Sequence, residues 1–462
     1  MVKVSVILPV YNVEDFLRDC LDSIVNQTLT DIEIICINDG STDKSLDILN
    51  EYASKDKRMT VIDQENSGHA VATNVGIEVA KGKYLFTMDS DDILKLNALE
   101  LTYEKAKEKD VDFVLFKAIN YDNTHDKYYE TEVYSMDKIA KKVGDNVFNY
   151  KDIGNLIFQA SVTPWSKLYN REFIIKNNIR FPEGLIFEDN VFFYEALFCA
   201  KKIYFLKEFL FIRRWYSTSS TTNGDLRFLN SIDVINLMID VFKKHGEYDT
   251  FKKELYNKKV KLGLMRYSKI KNEFKEDYFK ALKEDFVKIL NNSITYNDFM
   301  NSASYSNKKI FEQVIISQNA SEFNTLRKVY DLQMKSNSKK HNIIKELLTK
   351  KFTEYDKLSP EYKEQYFKNM KEVFIELLYD KKLYDEFIEN TVYENKKKIE
   401  QILISQNSTE YELLKKLYNK HMYYDSLPNK ISNLSKELEE IKEFNNELIN
   451  SNSWKLTKIL RI

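Results

Sequence analysis

Hydrophobic and polar positions follow two rhythms over the first 120 residues. Val4–Val10 is an apolar run, as expected of a strand buried on both faces. Over 13–27 the apolar positions Phe16, Leu17, Cys20, Leu21 and Ile24 fall at helical spacing. The pattern then predicts strands over 32–37, 59–62, 84–88 and 113–116, and helices after Asp43 (its expected N-cap), over 70–80 and over 97–109. This βαβ alternation predicts a doubly wound sheet, in which ligands bind at the carboxyl ends of the strands. Three polar clusters fall at such ends: Tyr11-Asn12, Asn38-Asp39-Gly40 and Asp89-Ser90-Asp91-Asp92.

From about Phe228 the rhythm becomes helical throughout, rich in Lys and Glu with hardly any Gly or Pro. Sliding the chain by 88 residues superposes Tyr278-Phe279-Lys280 on Tyr366-Phe367-Lys368 and Ile316-Ser317-Gln318-Asn319 on Ile404-Ser405-Gln406-Asn407. This predicts a tandem helical repeat, about 251–330 and 339–418, that stacks on its neighbour or offers a partner surface. A plain helical appendage is the rival. Ile431, Leu434, Leu438, Ile441, Asn445 and Leu448 then alternate spacings of three and four, a short coiled-coil seam that allows self-association through 427–449. The tail from Trp454 to Ile462 mixes apolar residues with Lys455, Lys458 and Arg461, a pattern that can lie on an anionic membrane surface or fray in solvent. Three regions are expected: 1–227, 228–425 and 426–462.

Composition removes several function classes. The 462 residues carry a net charge of -1, which leaves no basic footprint for nucleic acid. The three cysteines are far apart without CxxC spacing and the five histidines are scattered, so they read as reduced thiols and no zinc site is expected. No signal peptide opens the chain and no apolar run approaches the roughly 20 residues that span a bilayer, so a cytoplasmic location is expected, peripheral at the inner face of the membrane if the tail binds lipid.

Asp89 and Asp91, two acids at the end of a buried strand, are costly unless paired or bound to a cation. Their hard oxygens suit Mg²⁺ or Mn²⁺, which keep substrate phosphates among their ligands. Helix capping is the bland alternative for Asp91 and Asp92. Asp39 at its strand end can accept an N–H from a nucleobase or close an Asx-turn.

Three blocks, from Val4 to Asn12, from Asn38 to Asp43 and from Asp89 to Asp92, resemble in order and spacing the family 2 glycosyltransferases. Trp165-Ser166-Lys167-Leu168-Tyr169, Phe181-Pro182-Glu183-Gly184 and Glu188-Asp189-Asn190 resemble the acceptor half of members that build bacterial and archaeal surface polysaccharides. The resemblance covers about residues 1–220. It implies a GT-A nucleotide-diphospho-sugar transferase fold with a Rossmann-like mixed sheet. It also implies metal-dependent, inverting transfer of a sugar from a nucleotide-diphosphate donor, UDP by default, to a hydroxyl of a glycan or lipid-linked acceptor. Carried over, Pro9, Tyr11 and Glu14 line the nucleoside pocket and Asp39 binds the base. Asp89 holds the ribose or metal shell and Asp91 ligates the metal. Asp189 is the general base and Glu188 orients it or meets the acceptor; for this pair the bland reading is an acid-rich helix start.

One position departs from the pattern. Many relatives carry Arg where this chain has Thr73, and His69, Arg213 or Arg214 are the candidate substitutes toward the diphosphate. Arg213, Arg214 and Ser217 to Ser220 resemble the family's closing segment, a polar lid over the donor. No GxGxxG follows the first strand, which disfavours a dehydrogenase. A sugar nucleotidyltransferase would need a Gly-rich basic loop there. The rival from another class is a non-catalytic scaffold with a degenerate transferase domain.

Overall fold

A computed structural model describes residues 1–216, 224–335, 355–356, 358–360, 362–368, 371, 401–402, 405–413 and 415. The chain falls into two compact units, Met1–Ala281 with Asn297–Ala303, and Leu282–Tyr296 with Ser304–Ile462. The expected coiled coil, the basic tail and Ser217 to Ser220 lie outside the described residues.

The first unit holds a sheet of β1 (Val4–Val10), β2 (Ile32–Asp39), β3 (Met59–Gln64), β4 (Tyr84–Thr87), β5 (Ile93–Leu94), β6 (Phe113–Asp122), β7 (Lys127–Tyr129), β8 (Lys167–Asn170) and β9 (Ile203–Trp215). Its order is β3-β2-β1-β4-β8-β6-β9-β5, with β7 paired to β6. β1 runs parallel to both β2 and β4, so the order reverses beside β1 and opens a crevice where the chain leaves β1 and β4. The antiparallel β8 between β4 and β6 makes the sheet mixed, as the family resemblance implies. Two features exceed the local pattern. β6 runs on to Asp122 instead of ending near Phe116, because β9, more than 80 residues later, supplies a long parallel partner. The short β5 also depends on β9 for its pairing.

The helices of this unit are α1 (Glu14–Val25), α2 (Ser45–Lys55), α3 (His69–Val79), α4 (Ala98–Lys109), α5 (Glu132–Ser135), α6 (Asp137–Val143), α7 (Tyr150–Ile153), α8 (Arg171–Lys176), α9 (Asp189–Cys199), α10 (Asn230–Lys244) and α11 (Tyr248–Lys269). The β1 side chains alternate between two cores, as the period of a strand requires. Val4, Val6, Leu8 and Val10 join Leu17, Leu21, Ile48 and Leu99 from α1, α2 and α4. Ile7 faces the other way and joins Ala72, Ile77, Phe192, Leu197 and Met238 from α3, α9 and α10.

Asp43 differs from its expected role. The helix begins at Ser45 with Lys44 as N-cap, and the Asp43 carboxylate instead takes two N–H groups, from Ser45 at 2.9 Å and from Glu14 at 3.0 Å. One acid thereby satisfies an orphan donor at the start of both α1 and α2.

α12 (Lys275–Asn291) and α13 (Ser293–Ser302) contribute residues to both units; α14 (Tyr305–Ile316) and α15 (Ala320–Lys335) belong to the second. The Phe286 and Phe311 rings stack there at 5.1 Å. One corner recurs 88 residues on. Lys283 donates to the Ser317 carbonyl, and Lys371 donates to the Ser405 carbonyl. The Ser317 hydroxyl returns to the Gln313 carbonyl and the Ser405 hydroxyl to that of Gln401, both at 2.6 Å. Glu322 N–H meets Asn319 Oδ1, and Glu410 N–H meets Asn407 Oδ1, both at 2.9 Å. Among the described residues no helix is long and apolar enough to cross a membrane.

Gly76 lets α3 approach the sheet closely. A Cβ there would lie 2.3 Å from Ile7 Cγ2 and 3.0 Å from Ile37 Cδ1. Both neighbours are β-branched and stiff. Gly76→Ala is therefore expected to lower stability by about 1–3 kcal/mol through overpacking, despite the better helix propensity of Ala. Urea unfolding of both proteins checks this, and an unchanged midpoint would contradict it.

Candidate active site

The crevice beside β1 is bordered by the loop 65–68, between Gln64 of β3 and His69 of α3. Asp39, the last residue of β2, is almost fully buried. Its Oδ1 accepts from Gln64 Nε2 and from Ser67 N–H, both at 2.8 Å, and its Oδ2 accepts from Gly68 N–H at 2.9 Å. A carboxylate offers about four lone pairs, so one on Oδ2 is left for a ligand. Gly40 closes the turn at φ +70°, where a Cβ would meet Asn66 N at 2.7 Å. Asn66 Nδ2 in turn donates to the Asp39 carbonyl at 2.9 Å.

The exit from β1 is knitted to the exit from β2. Asn12, at φ +47°, accepts the Thr42 N–H on its Oδ1 at 2.7 Å and donates its own N–H to Ser41 Oγ at 3.1 Å. Glu14 accepts the Lys44 N–H at 2.9 Å, so its carboxylate serves the start of α2. Pro9 is buried in β1, and Tyr11 stands 52 % exposed at the rim.

Asp89, Asp91 and Asp92 follow β4, and one oxygen from each lies within 4.8 Å of the others. Burial and the Asp89 charge push the Asp91 carboxyl above the usual carboxylate range. Burial, Asp91 and Asp89 push Asp92 well above it. Relief is partial: Tyr216 OH donates to Asp91 Oδ2 at 2.7 Å, and Arg214 N–H donates to Asp92 Oδ1 at 2.6 Å. Three crowded acids with so little positive charge suit a hard divalent cation such as Mn²⁺ or Mg²⁺. Asp89 and Asp91 fit as its holders, because the Asp92 side chain is buried against the β9 backbone.

The two arginines separate, as neighbours on a strand must. Arg213 lies within the electrostatic reach of Asp91 and Asp92, with its guanidinium 5.8 Å from the Tyr134 ring. Arg214 turns to Asp19 at 3.0 Å and stacks on Phe16 at 4.9 Å.

His69 joins an acid after β4 to one at the start of α9. Its Nδ1 lies 2.9 Å from Glu188 Oε1 and its Nε2 3.5 Å from Asp89 Oδ1. Burial alone would lower the imidazole pKa; Asp89 and Glu188 outweigh it and hold it well above the usual value. Thr73 is fully buried and its hydroxyl returns to the His69 carbonyl at 2.8 Å, so it caps its own helix turn and presents nothing to the crevice.

Glu188 and Asp189 stand at the N-terminus of α9. The dipole of a helix start favours ionised acids. Burial and the charge of Glu188 prevail over it, and Asp189 is raised to about 6. Asn190 Nδ2 donates to Asp189 Oδ1 at 3.0 Å. Phe187, just before the pair, adopts φ +70°, uncommon for a bulky side chain. The Arg266 guanidinium covers its ring at 3.7 Å.

Tyr216 and Arg266 carry no motif in the sequence. Tyr216 sits between two recognisable polar blocks, and Arg266 lies on a helix 77 residues after Asp189; only the fold brings them to the acids.

Residues 5–163 match the model of glycosyl transferase family 2. Glycosyltransferase GlyG of Streptococcus pneumoniae is 35% identical over 245 residues, covering 52% of this chain and 78% of that protein. A cholesterol galactosyltransferase of Borreliella burgdorferi is 28% identical over 332 residues, covering 68% of this chain and 89% of that protein. The crystal structure of Staphylococcus aureus TarS 1-349 in complex with UDP shares the fold, with a TM-score of 0.55 at 19% identity, over 73% of this chain and 93% of that one. With its mixed sheet and the crevice beside β1 and β4, the chain belongs to glycosyl transferase family 2 and is a glycosyltransferase acting on a nucleotide sugar.

Proposed function

We propose that the crevice beside β1 and β4 binds a UDP-sugar with a Mn²⁺ or Mg²⁺ ion, and that the sugar passes with inversion to a hydroxyl of a glycan or lipid-linked acceptor. The observation that carries this reading is the His69 bridge, which sets Asp89 on the donor side within one imidazole of Glu188 beside Asp189. The free lone pair of Asp39 suits the N3–H of uracil, and UDP is also the ligand of the TarS crystal. Tyr11 and Pro9 flank the same opening. When bound, the cation offsets charge on the diphosphate leaving group. Asp89 and Asp91 would hold it, and Tyr216 and Arg213 favour the ionised form of Asp91 against burial and the Asp89 charge. His69, whose charged form Asp89 and Glu188 favour, takes the place that Thr73 leaves without charge.

Asp189 accepts the proton of the attacking hydroxyl. A carboxyl raised to about 6 is ionised at neutral pH yet more basic than an ordinary aspartate. Glu188, held by His69, fixes the start of α9 so that Asp189 faces the crevice. Glycan and lipid-linked acceptors fit the relatives, one of which takes cholesterol by its name. The 88-residue repeat, whose corner recurs in the described residues, is read as a partner surface. The tail after 454 serves a membrane surface.

Thermal unfolding with a panel of nucleoside diphosphates and nucleotide sugars, with and without Mn²⁺, tests the donor site. A ligand that binds only the folded state raises the melting temperature by mass action. A Mn²⁺-dependent rise with UDP in the wild type, lost in Asp91→Ala, is expected. No rise with any nucleotide would favour the scaffold reading.

Asp189→Asn is expected to lower kcat by about 10²–10⁴-fold with little change in donor KM. Because the ionised form is the base, wild-type kcat should fall tenfold per pH unit below about pH 6, the value to which Asp189 is raised. A flat profile between pH 5 and 7 at saturating donor would remove Asp189 from this role.

A further inference from the structure

A second group of potential ligands lies at the other end of α9. Glu195 and Cys199 are one helical turn apart and so share a face. α10 packs against α9, and His245 caps its C-terminus. One oxygen of Glu195, the sulfur of Cys199 and one ring nitrogen of His245 all lie within 4.8 Å of one another. The side chains are held in place. Glu195 and His245 keep only 16% and 19% of their exposure. The imidazole packs on Phe198 at 5.5 Å, and Phe198 packs on Phe242 at 4.7 Å. Glu195 Oε2 meets His245 Nε2 at 2.8 Å, while Oε1 accepts from Lys244 Nζ at 2.8 Å.

We propose that Glu195, Cys199 and His245 bind a borderline transition metal, Zn²⁺ foremost, at a site separate from the acids after β4. The donor set decides the class of ion. One oxygen, one nitrogen and one sulfur suit tetrahedral Zn²⁺ and not Mg²⁺, whereas the all-oxygen acids suit a hard ion. Three protein ligands leave a fourth position for water. On binding, the Glu195–His245 contact gives way to two metal bonds, and Cys199 gives its proton to solvent and binds as thiolate. Lys244 keeps its hydrogen bond to the second oxygen of Glu195, the outer contact that orients a ligating carboxylate. The ion would tie the C-terminal ends of α9 and α10 together, and α9 begins at Asp189. The site is invisible in the spacing of the chain, because His245 comes 46 residues after Cys199.

The test uses the full chain carrying Asp91→Ala, so that the acid cluster does not compete, with Zn²⁺ or Co²⁺ alone as the probe. Cys20 and Cys36 are buried, which leaves Cys199 as the accessible thiol among the three. Zn²⁺ is expected to slow iodoacetamide alkylation of Cys199 by roughly tenfold or more. Co²⁺ is expected to give the near-ultraviolet thiolate charge-transfer band. His245→Gln, which removes a proposed ligand, should weaken both by at least the roughly 10–100-fold that loss of a mere outer contact costs. If that variant does not fold, the parent protein decides alone. Equal alkylation of the folded protein with and without Zn²⁺, or Co²⁺ binding without the thiolate band, would overturn the proposal.

Discussion

The active-site crevice depends on how one buried carboxylate holds one loop. Asp39 gathers Gln64, Ser67 and Gly68 onto its two oxygens, and this fixes where α3 begins. Charge-assisted bonds of this kind are the strong ones in a protein interior, and a buried acid without them would be expensive. Because α3 begins there, its first residue, His69, arrives between Asp89 and Glu188. His69 thus links the acid after β4 to the pair at the start of α9. Close packing of Gly76 on Ile7 holds the remainder of α3 against β1.

The same economy of charge shapes the rest of the site. Asp43 serves the starts of two helices, and Glu14 serves the second of them as well. Asp92 is spent on the backbone of β9, whereas Asp91 meets the Tyr216 hydroxyl. Arg214, one of the candidate substitutes for an absent arginine, is taken up by Asp19 and Phe16. Arg213 and His69 remain near the acids. Identical-looking residues therefore carry different duties, set by which face of a strand or helix they occupy.

The two ends of α9 carry different sets of polar side chains. At its start stand two carboxylates, Glu188 and Asp189, the second raised by burial and by the charge of the first. At its end, a thiol, an imidazole and a carboxylate meet around a helix-capping position. A glutamate–histidine contact with a lysine on the second oxygen is stable without an ion, so the ion would exchange contacts and not rescue a strained arrangement.

Much of the frame was legible in the sequence. The apolar run at Val4–Val10, the periods of the helices and the acids at strand ends are local properties, and local sterics and hydrophobic burial translate them into β1, α1 to α4 and the crevice. The resemblance of the motif blocks extended this to the family. What the tertiary structure decided were contacts between distant segments: β9 lengthening β6, Tyr216 reaching Asp91, His69 bridging Asp89 to Glu188, and His245 meeting Cys199. No local period encodes such pairings. They follow from which faces the packed sheet and helices turn toward one another, and that is settled only when the whole core is buried.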